Sequence, residues 1–278
     1  MWVKDIDTFT AAIPTAVGTE WSSIAPFLET ASLKIQDELT GTGLYEAIEA
    51  MTEGSSRKVA EKLESMMAYL TAIPFVDLIQ TNSGFAVVSG SSQAPASKER
   101  VERLILWVET MVDGLTDLLI RLIMYTPDLR ALWTGCPMYD ELTSDLFMTG
   151  SSFANYTPVV SKKKRETYLS NKLRIISLQE NELAKIISRD YLVQLLTESR
   201  TQTFTPGAGQ IVSYCRMFLG TMISGDQLRA SEIAAIMSNM LDNDLETYAT
   251  YASSAEYALR TAAVYENKQD DPTYFFGM

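Results

Sequence analysis

The stretch Ser32-Leu-Lys-Ile-Gln-Asp-Glu-Leu39, followed by Gly43-Leu-Tyr-Glu-Ala-Ile48, is an apolar helical run, a short break and the start of a second helix. The stretch Ser177-Leu-Gln-Glu-Asn-Glu-Leu183, followed by Asp190-Tyr-Leu-Val-Gln-Leu195, has the same order about 145 to 147 residues later. Because self-similarity at a fixed separation is typical of duplicated modules, the sequence predicts two weakly repeated helical bundles.

Helical periodicity extends outward from both stretches. Apolar residues recur every third or fourth position, which is the spacing of one helix face. The first stripe begins after Glu20 and contains Ile24, Phe27, Leu28, Ala31, Ile35 and Leu39. The chain therefore belongs to the all-α class, with a first module at residues 1–150 and a second at residues 151–278. We place the boundary at Gly150-Ser-Ser152.

Residues 75–96 interrupt the helical pattern in the first module only. The runs Phe75-Val-Asp-Leu-Ile79 and Gly84-Phe-Ala-Val-Val88 are short and β-prone, and Thr81-Asn-Ser-Gly84 between them has turn chemistry. We expect a small β-hairpin followed by an exposed loop, and then a long helix from Ser97 to Tyr125.

Three helix boundaries in the second module follow from local capping signals. Phe153 to Val160 reads as extended or loop-like, and Asp190 is expected to cap a short helix. Ser231 is expected to cap one final long helix that continues to Ala262.

Composition limits the possible functions. The 278 residues carry 23 Lys and Arg against 35 Asp and Glu, a net charge of −12, which argues against a surface built mainly to grip phosphate. Two cysteines make no disulfide framework, no leader-like segment opens the sequence, and the longest apolar stretch, Leu115 to Tyr125, is too short to span a membrane. We expect an intracellular protein at synthesis.

Residues with catalytic potential are sparse. The absence of histidine removes the usual triads and the commonest zinc sites. Thr205-Pro-Gly-Ala-Gly209 lacks the lysine of a phosphate loop, and Asp242-Asn-Asp-Leu-Glu246 lacks the glycine and distant glutamate of a calcium loop. Cys136 and Cys215 read as small packed residues. We predict no catalytic residue, no cofactor, no metal and no enzyme, with a carboxylate–metal enzyme as a third-ranked alternative.

Three segments are candidates for partner binding. A basic turn in an acidic chain could be a solvated helix start or a tether to an acidic neighbour or a nucleic-acid backbone. An aromatic C-terminal tail either folds back or docks on a neighbouring subunit, because exposed aromatic residues are unfavourable in water. The candidate residues are Phe85, Val87 and Val88 of the hairpin, Lys162, Lys163, Lys164 and Arg165 of the basic turn, and Tyr274, Phe275 and Phe276 of the tail.

The helix order from Glu20 to Leu39 and from Gly43 to Ile48, then a third helix and a long helix after a Pro/Ser loop, resembles the head–tail connector (adaptor) proteins of tailed bacteriophages. The resemblance covers residues 20–125, with a weaker second copy over 162–264. More loosely, Ser83-Gly-Phe-Ala-Val-Val88 and Ala94-Pro-Ala-Ser-Lys-Glu-Arg100 are similar to segments of uncharacterised phage and prophage proteins from Bacteroidetes.

The resemblance implies a ring of subunits, often twelve, beneath a portal, with DNA passing through the lumen without sequence-specific binding. It implies a virion protein that is assembled in the bacterial host cytoplasm and contacts portal and tail proteins, with no membrane partner. Our leading hypothesis is therefore a non-enzymatic structural subunit of a phage neck. The alternative is a soluble helical protein–protein binding module in the cytoplasm that uses the same surfaces.

Overall fold

The computed structural model describes residues 1–13, 19–75, 78–81, 84–87, 97–157 and 163–262. Within these ranges the chain is almost entirely helical, and the all-α prediction is confirmed.

The first half contains helices of very different lengths and one two-stranded element. Its elements are α1 (Ile6–Ala12), α2 (Trp21–Ile35), the π-helical turn π1 (Gln36–Thr40), α3 (Gly41–Ala50), α4 (Ser55–Ala72), a 3-10 turn (Ile73–Phe75), β1 (Leu78–Thr81), β2 (Gly84–Val87), α5 (Lys98–Tyr125), α6 (Pro127–Thr134) and α7 (Pro137–Leu142). The two strands pair antiparallel, with Leu78 opposite Val87 and Thr81 opposite Gly84.

The second half begins with a short helix near the predicted boundary. Its elements are α8 (Gly150–Ala154), α9 (Lys164–Leu178), the turn π2 (Gln179–Leu183), α10 (Ala184–Ile187), α11 (Arg189–Thr201), α12 (Ala208–Ser224), α13 (Gln227–Asn243), α14 (Ala249–Ala252) and α15 (Ala255–Thr261).

Each of the two similar stretches in the sequence contains a π-helical turn and then a residue with positive φ. Gly41 follows π1 with a φ of 66°, and Ser188 follows π2 and the short α10 with a φ of 70°. A buried tyrosine comes shortly afterwards in both cases, Tyr45 in α3 and Tyr191 in α11. Both stretches therefore combine a widened helical turn, a left-handed residue and a new helix with a buried ring.

The buried apolar side chains form two clusters. One contains residues between Trp2 and Tyr139, and the other contains residues between Leu146 and Tyr251. In the first, α4 packs against both α2 and α5, and in the second α12 packs against α13. Large aromatic side chains occupy both interiors, because burying so much apolar surface is the main favourable term in folding.

A polar network crosses the first cluster around Glu64, which is fully buried. The Tyr45 hydroxyl donates to Glu64 Oε1 over 2.6 Å, and the Val3 amide donates to Oε2 over 2.6 Å. The Ser32 hydroxyl lies 2.8 Å from the Tyr45 hydroxyl, and the Trp2 ring stacks on the Tyr45 ring at 4.4 Å. The network fixes the first three residues of the chain against α3 and α4.

The segment from Phe153 to Val160, predicted to be extended or loop-like, is helical among its described residues only at Phe153 and Ala154, because the Thr149 side chain accepts from the Ser152 amide and caps α8. Residues 155–157 are not helical. The predicted cap of α11 is wrong. The cap of α11 is Ser188, whose hydroxyl accepts from the Tyr191 amide, and Asp190 lies inside the helix.

The long final helix is also wrong at both ends. Asp226 caps α13 by accepting from the Arg229 amide, so the helix starts four residues before Ser231. The helix ends at Asn243, and the rest of the predicted helix forms α14 and α15. Ser254 starts α15 by accepting from the Tyr257 amide. Capping side chains therefore override the apolar periodicity here.

Candidate interaction surfaces

A buried carboxylate on α5 joins the two halves. Asp117 Oδ1 accepts from the Gly150 amide over 3.2 Å, and Oδ2 accepts from the Ser151 amide over 2.6 Å. Arg165 Nη1 lies 3.6 Å from Asp117 Oδ1, and both residues are buried. We call Asp117, Gly150, Ser151 and Arg165 the junction.

The backbone at the junction leaves no room for a side chain on Gly150. A Cβ there would lie 2.5 Å from the Arg165 backbone nitrogen and Cα. The close approach of α8 to the start of α9 therefore requires glycine, and it places Arg165 against Asp117. Burial lowers the pKa of the Arg165 guanidinium, and the charge of Asp117 opposes that effect.

The predicted basic turn divides between the junction and the surface. Lys164 is exposed, whereas Lys163 Nζ lies 3.3 Å from Glu166 and 3.8 Å from Glu109 of α5. The bond to Glu166 and the charge of Glu109 raise the pKa of Lys163. Arg165 is turned inward, so it contacts the chain's own acid, and two of the predicted tether residues contribute to the contact between halves.

A groove of two adjoining clefts runs along α5 beside the junction. Its apolar wall consists of Ile35, Leu39, Met67, Leu70, Leu106 and Val112. Its rim alternates acids and bases, since Glu38, Glu109 and Glu166 lie with Lys34 and Lys163. Asp113 is common to both clefts, and its partial burial raises the pKa of its carboxyl against the opposing charge of Arg165. The groove has the mixed character of a protein-contact surface.

The connection after α7 is fastened to the second half. Arg200 of α11 lies 2.6 Å from Asp140 and 3.2 Å from Asp145, and its guanidinium stacks over the Tyr139 ring at 4.7 Å. The Tyr139 hydroxyl donates to Asp145 over 2.7 Å. Arg216 Nε of α12 donates to the Leu146 carbonyl over 2.6 Å. These contacts fix the connection from both sides.

Exposed apolar side chains flank the hairpin in sequence. Phe75, just before β1, is 57% exposed. Leu106 and Trp107 lie in the N-terminal half of α5, here called its outer half, and are 40% and 41% exposed. Such residues are normal singly, but a group on one helix end is a candidate contact surface.

Only some of the other predicted binding residues are among those that the structure describes. Phe85 and Val87 lie in β2. Val88, Lys162, Tyr274, Phe275 and Phe276 lie outside the described residues. The binding roles of all these residues stay predictions.

Sequence reasoning missed Asp117, the central residue of the junction. One signal was present, because Asp113, Asp117 and Arg121 recur every four positions inside the most apolar part of α5. Charged residues inside such a stripe point to buried partners.

Reactive groups are few in the described ranges. No group of three or more Cys, Asp or Glu residues there could hold a metal ion. Complete burial raises the pKa of the Cys215 thiol to about 12, so the thiolate nucleophile is disfavoured. Among the described helices, none has the length and apolar character needed to cross a lipid bilayer.

Residues 23–141 match the model of a family of unknown function (DUF6712). The chain is therefore similar to that family over a region that begins in α2, ends in α7 and includes Asp117. Gly150 and Arg165, the other side of the junction, lie outside the match. Comparisons with curated proteins and with solved structures gave no match.

Proposed function

We propose that this chain is a non-enzymatic structural subunit of a phage virion neck, a head–tail connector or adaptor protein that forms a ring between portal and tail. The ring, of twelve subunits as in many connectors, assembles in the bacterial host cytoplasm, and DNA passes through its lumen without sequence-specific binding. The protein needs no cofactor for this role.

The observation that carries the proposal is the outer half of α5. Leu106 lines the groove and is 40% exposed, and its neighbour Trp107 is 41% exposed. Covering them with a neighbouring subunit removes apolar surface from water and stabilises an assembly. The hairpin region at residues 75–96 leads into this same helix and supplies the adjacent contact.

The similar order of turns in the two halves also supports the proposal. We infer that the two halves descend from one module, because π turns, positive-φ residues and buried tyrosines follow one another in the same order in both. A subunit built from two such modules, joined at the junction, presents one rigid body to its neighbours.

Net charge is consistent with a lumen role. The formal charge of −12 gives the ring an acidic average surface that repels the phosphate backbone, so DNA slides through without sticking.

Light scattering during size-exclusion chromatography tests the assembly, alone and with a portal protein. We expect a ring alone or a ring that forms on portal. The variant Trp107→Glu should prevent ring formation and leave far-ultraviolet helicity unchanged. Leu228→Glu is the matched control, since Leu228 is 76% exposed on the other half and lies outside the proposed contact. Equal behaviour of the two variants would show that the outer half of α5 is not the interface.

A deletion tests the hairpin region. Removing residues 81–93 should abolish assembly with portal and leave helicity nearly unchanged. An equal loss of helicity would show that this segment belongs to the core and is not a contact element.

The cytoplasmic binding module remains the competing function. A strict monomer that never binds portal, but binds another protein through the same α5 surface, would favour it. A portal or terminase gene beside the gene for this chain would favour the neck.

A further inference from the structure

A third cleft lies on the other side of the junction, where α5 ends near α8, α11 and α12. Two arginines line it, Arg121 of α5 and Arg216 of α12. No Asp or Glu is among its described lining residues, whereas each cleft of the groove along α5 contains several acids. A purely basic cleft is unexpected in a chain with a net charge of −12. We call it the arginine cleft.

Both guanidinium groups have unused hydrogen-bonding capacity. Arg216 Nε donates to the Leu146 carbonyl, which orients the side chain and leaves its two terminal nitrogens available. Arg121 forms no hydrogen bond or ion pair with any part of the chain that the structure describes. Two cations that line one cleft repel each other, and a bound carboxylate would relieve that repulsion.

The rest of the cleft is apolar and aromatic. Met124 and Met148 line it, and Tyr125 at its edge is 71% exposed. The Ser152 hydroxyl is available for a further hydrogen bond. Adaptable methionines, an exposed ring and two arginines favour a peptide that carries carboxylates next to aromatic residues.

This chain itself contains a peptide of that kind in Asp270-Asp271-Pro-Thr-Tyr-Phe-Phe276. We propose that residues 270–276 of one copy bind in the arginine cleft of the neighbouring copy, with Asp270 and Asp271 on Arg121 and Arg216 and the aromatic residues on Met124, Tyr125 and Met148. The proposal rests on the proposed function, since it names the surface that receives the tail within the ring.

Chain length and symmetry both allow this contact. The eight residues that follow Ala262, up to Asp270, can span about 26 Å when extended, which is enough to cross from one subunit to another. A tail on one copy that binds a different surface on the next is a heterologous contact, and repeated heterologous contacts close into rings.

Cysteine pairing between full-length copies tests the contact. The variants Ser152→Cys and Thr273→Cys, mixed and mildly oxidised, should give a disulfide-linked pair of chains on a non-reducing gel. The parent chain, treated in the same way, controls for Cys136 and Cys215. A chain that carries both substitutions and yields only an internal cross-link would overturn the contact between copies in favour of folding back.

Charge exchange tests the chemistry. Arg121→Glu in the Ser152→Cys chain should lower the cross-link yield about three- to fivefold, and Asp271→Arg in the Thr273→Cys chain should restore it. Arg229→Glu is the control, because it makes the same charge change on an exposed residue outside the cleft. Equal yields for Arg121→Glu and Arg229→Glu would overturn the inference.

Light scattering on the same samples separates this inference from the proposed function. Rings that form without a cross-link, or with a yield that ignores charge, overturn the tail contact and leave the neck proposal standing. A chain that stays monomeric with and without portal overturns both.

Discussion

Each half contains a π turn followed by a residue with positive φ, but different side chains surround these positions in the two halves. In the first half the left-handed position is Gly41, and the buried ring of Tyr45 is bonded to Glu64 and close to Ser32. In the second half it is Ser188, and the buried Tyr191 hydroxyl has no hydrogen-bond partner among the residues that the structure describes.

The difference shows what each half gains at this turn. The backbone of Ser188 is strained at its positive φ, and its hydroxyl caps α11 by accepting a hydrogen bond from the Tyr191 amide. Gly41 has no such strain, and its missing side chain lets Cys136 approach closely. The first half therefore depends on close packing and a polar network, and the second depends on a helix cap.

The largest expected effect comes from breaking the junction that holds the halves together. Arg165→Ala removes one partner of a buried ion pair and should lower the free energy of unfolding by about 3 kcal/mol. Urea unfolding followed by circular dichroism should then separate into two transitions, one for each half. The control Lys185→Ala removes an exposed ion pair with Glu182 inside the second half and should cost about 1 kcal/mol or less. A single unchanged transition for Arg165→Ala would contradict the role of the junction.

The left-handed positions give the next effect. Gly41→Ala should destabilise by about 2–3 kcal/mol, because a side chain there is strained at positive φ and its Cβ would lie 2.6 Å from Cys136 Sγ. Ser188→Gly should change stability by less than about 1 kcal/mol, since relief of strain offsets the lost cap. Thermal unfolding of both variants measures the contrast. Similar losses at the two positions would show that the turns are stabilised alike.

The buried tyrosines should differ by a smaller amount. Tyr45→Phe leaves Glu64 Oε1 without its donor and removes one of the contacts of the Ser32 hydroxyl, and it should cost about 1–2 kcal/mol. Tyr191→Phe removes a hydroxyl with no partner in the described part of the chain, so stability should stay the same or rise slightly. Chemical denaturation of Tyr45→Phe and Tyr191→Phe measures the two changes in the free energy of unfolding. A loss at Tyr191 equal to that at Tyr45 would reveal an unseen partner for the Tyr191 hydroxyl.

The smallest expected effect is a pH dependence confined to the first half. Burial raises the pKa of Glu64, so just above its ordinary value of 4.5 the folded chain binds more protons than the unfolded chain. The Glu64 contribution to the free energy of unfolding therefore falls as pH rises through that window. Glu64→Gln should remove this part of the slope.

Urea titrations of the parent chain and of Glu64→Gln from about pH 4 to about pH 7 measure how the free energy of unfolding depends on pH. Parallel curves for the two chains would mean that Glu64 is equally protonated in the folded and unfolded states.

The helical class was predictable because it depends on local spacing. Ile24, Leu28 and Ile35 lie on one stripe in the sequence and are buried in the structure, since a period near 3.6 turns one helix face to the core. The long helix after Ser97 was predictable for the same reason.

Features that depend on distant partners were not predictable. Asp117 and Arg165 are 48 positions apart, and Glu64 looks like an ordinary surface acid of an amphipathic helix. Only the folded chain places a guanidinium beside Asp117 and a phenol beside Glu64. The prediction of helix ends failed for a related reason. Asp226, Ser231 and Ser254 are all possible helix caps, and apolar periodicity does not show which of them starts a helix.

The junction also has a mechanical consequence. Two amides bind separate oxygens of the Asp117 carboxylate while Arg165 approaches one of them, so the joint resists twisting as well as pulling. Any torsion between the halves would lengthen the two amide hydrogen bonds to Asp117. The same movement would expose the charges of Asp117 and Arg165 to water. Force applied to one half would therefore be transmitted to the other half and not absorbed by bending at the joint.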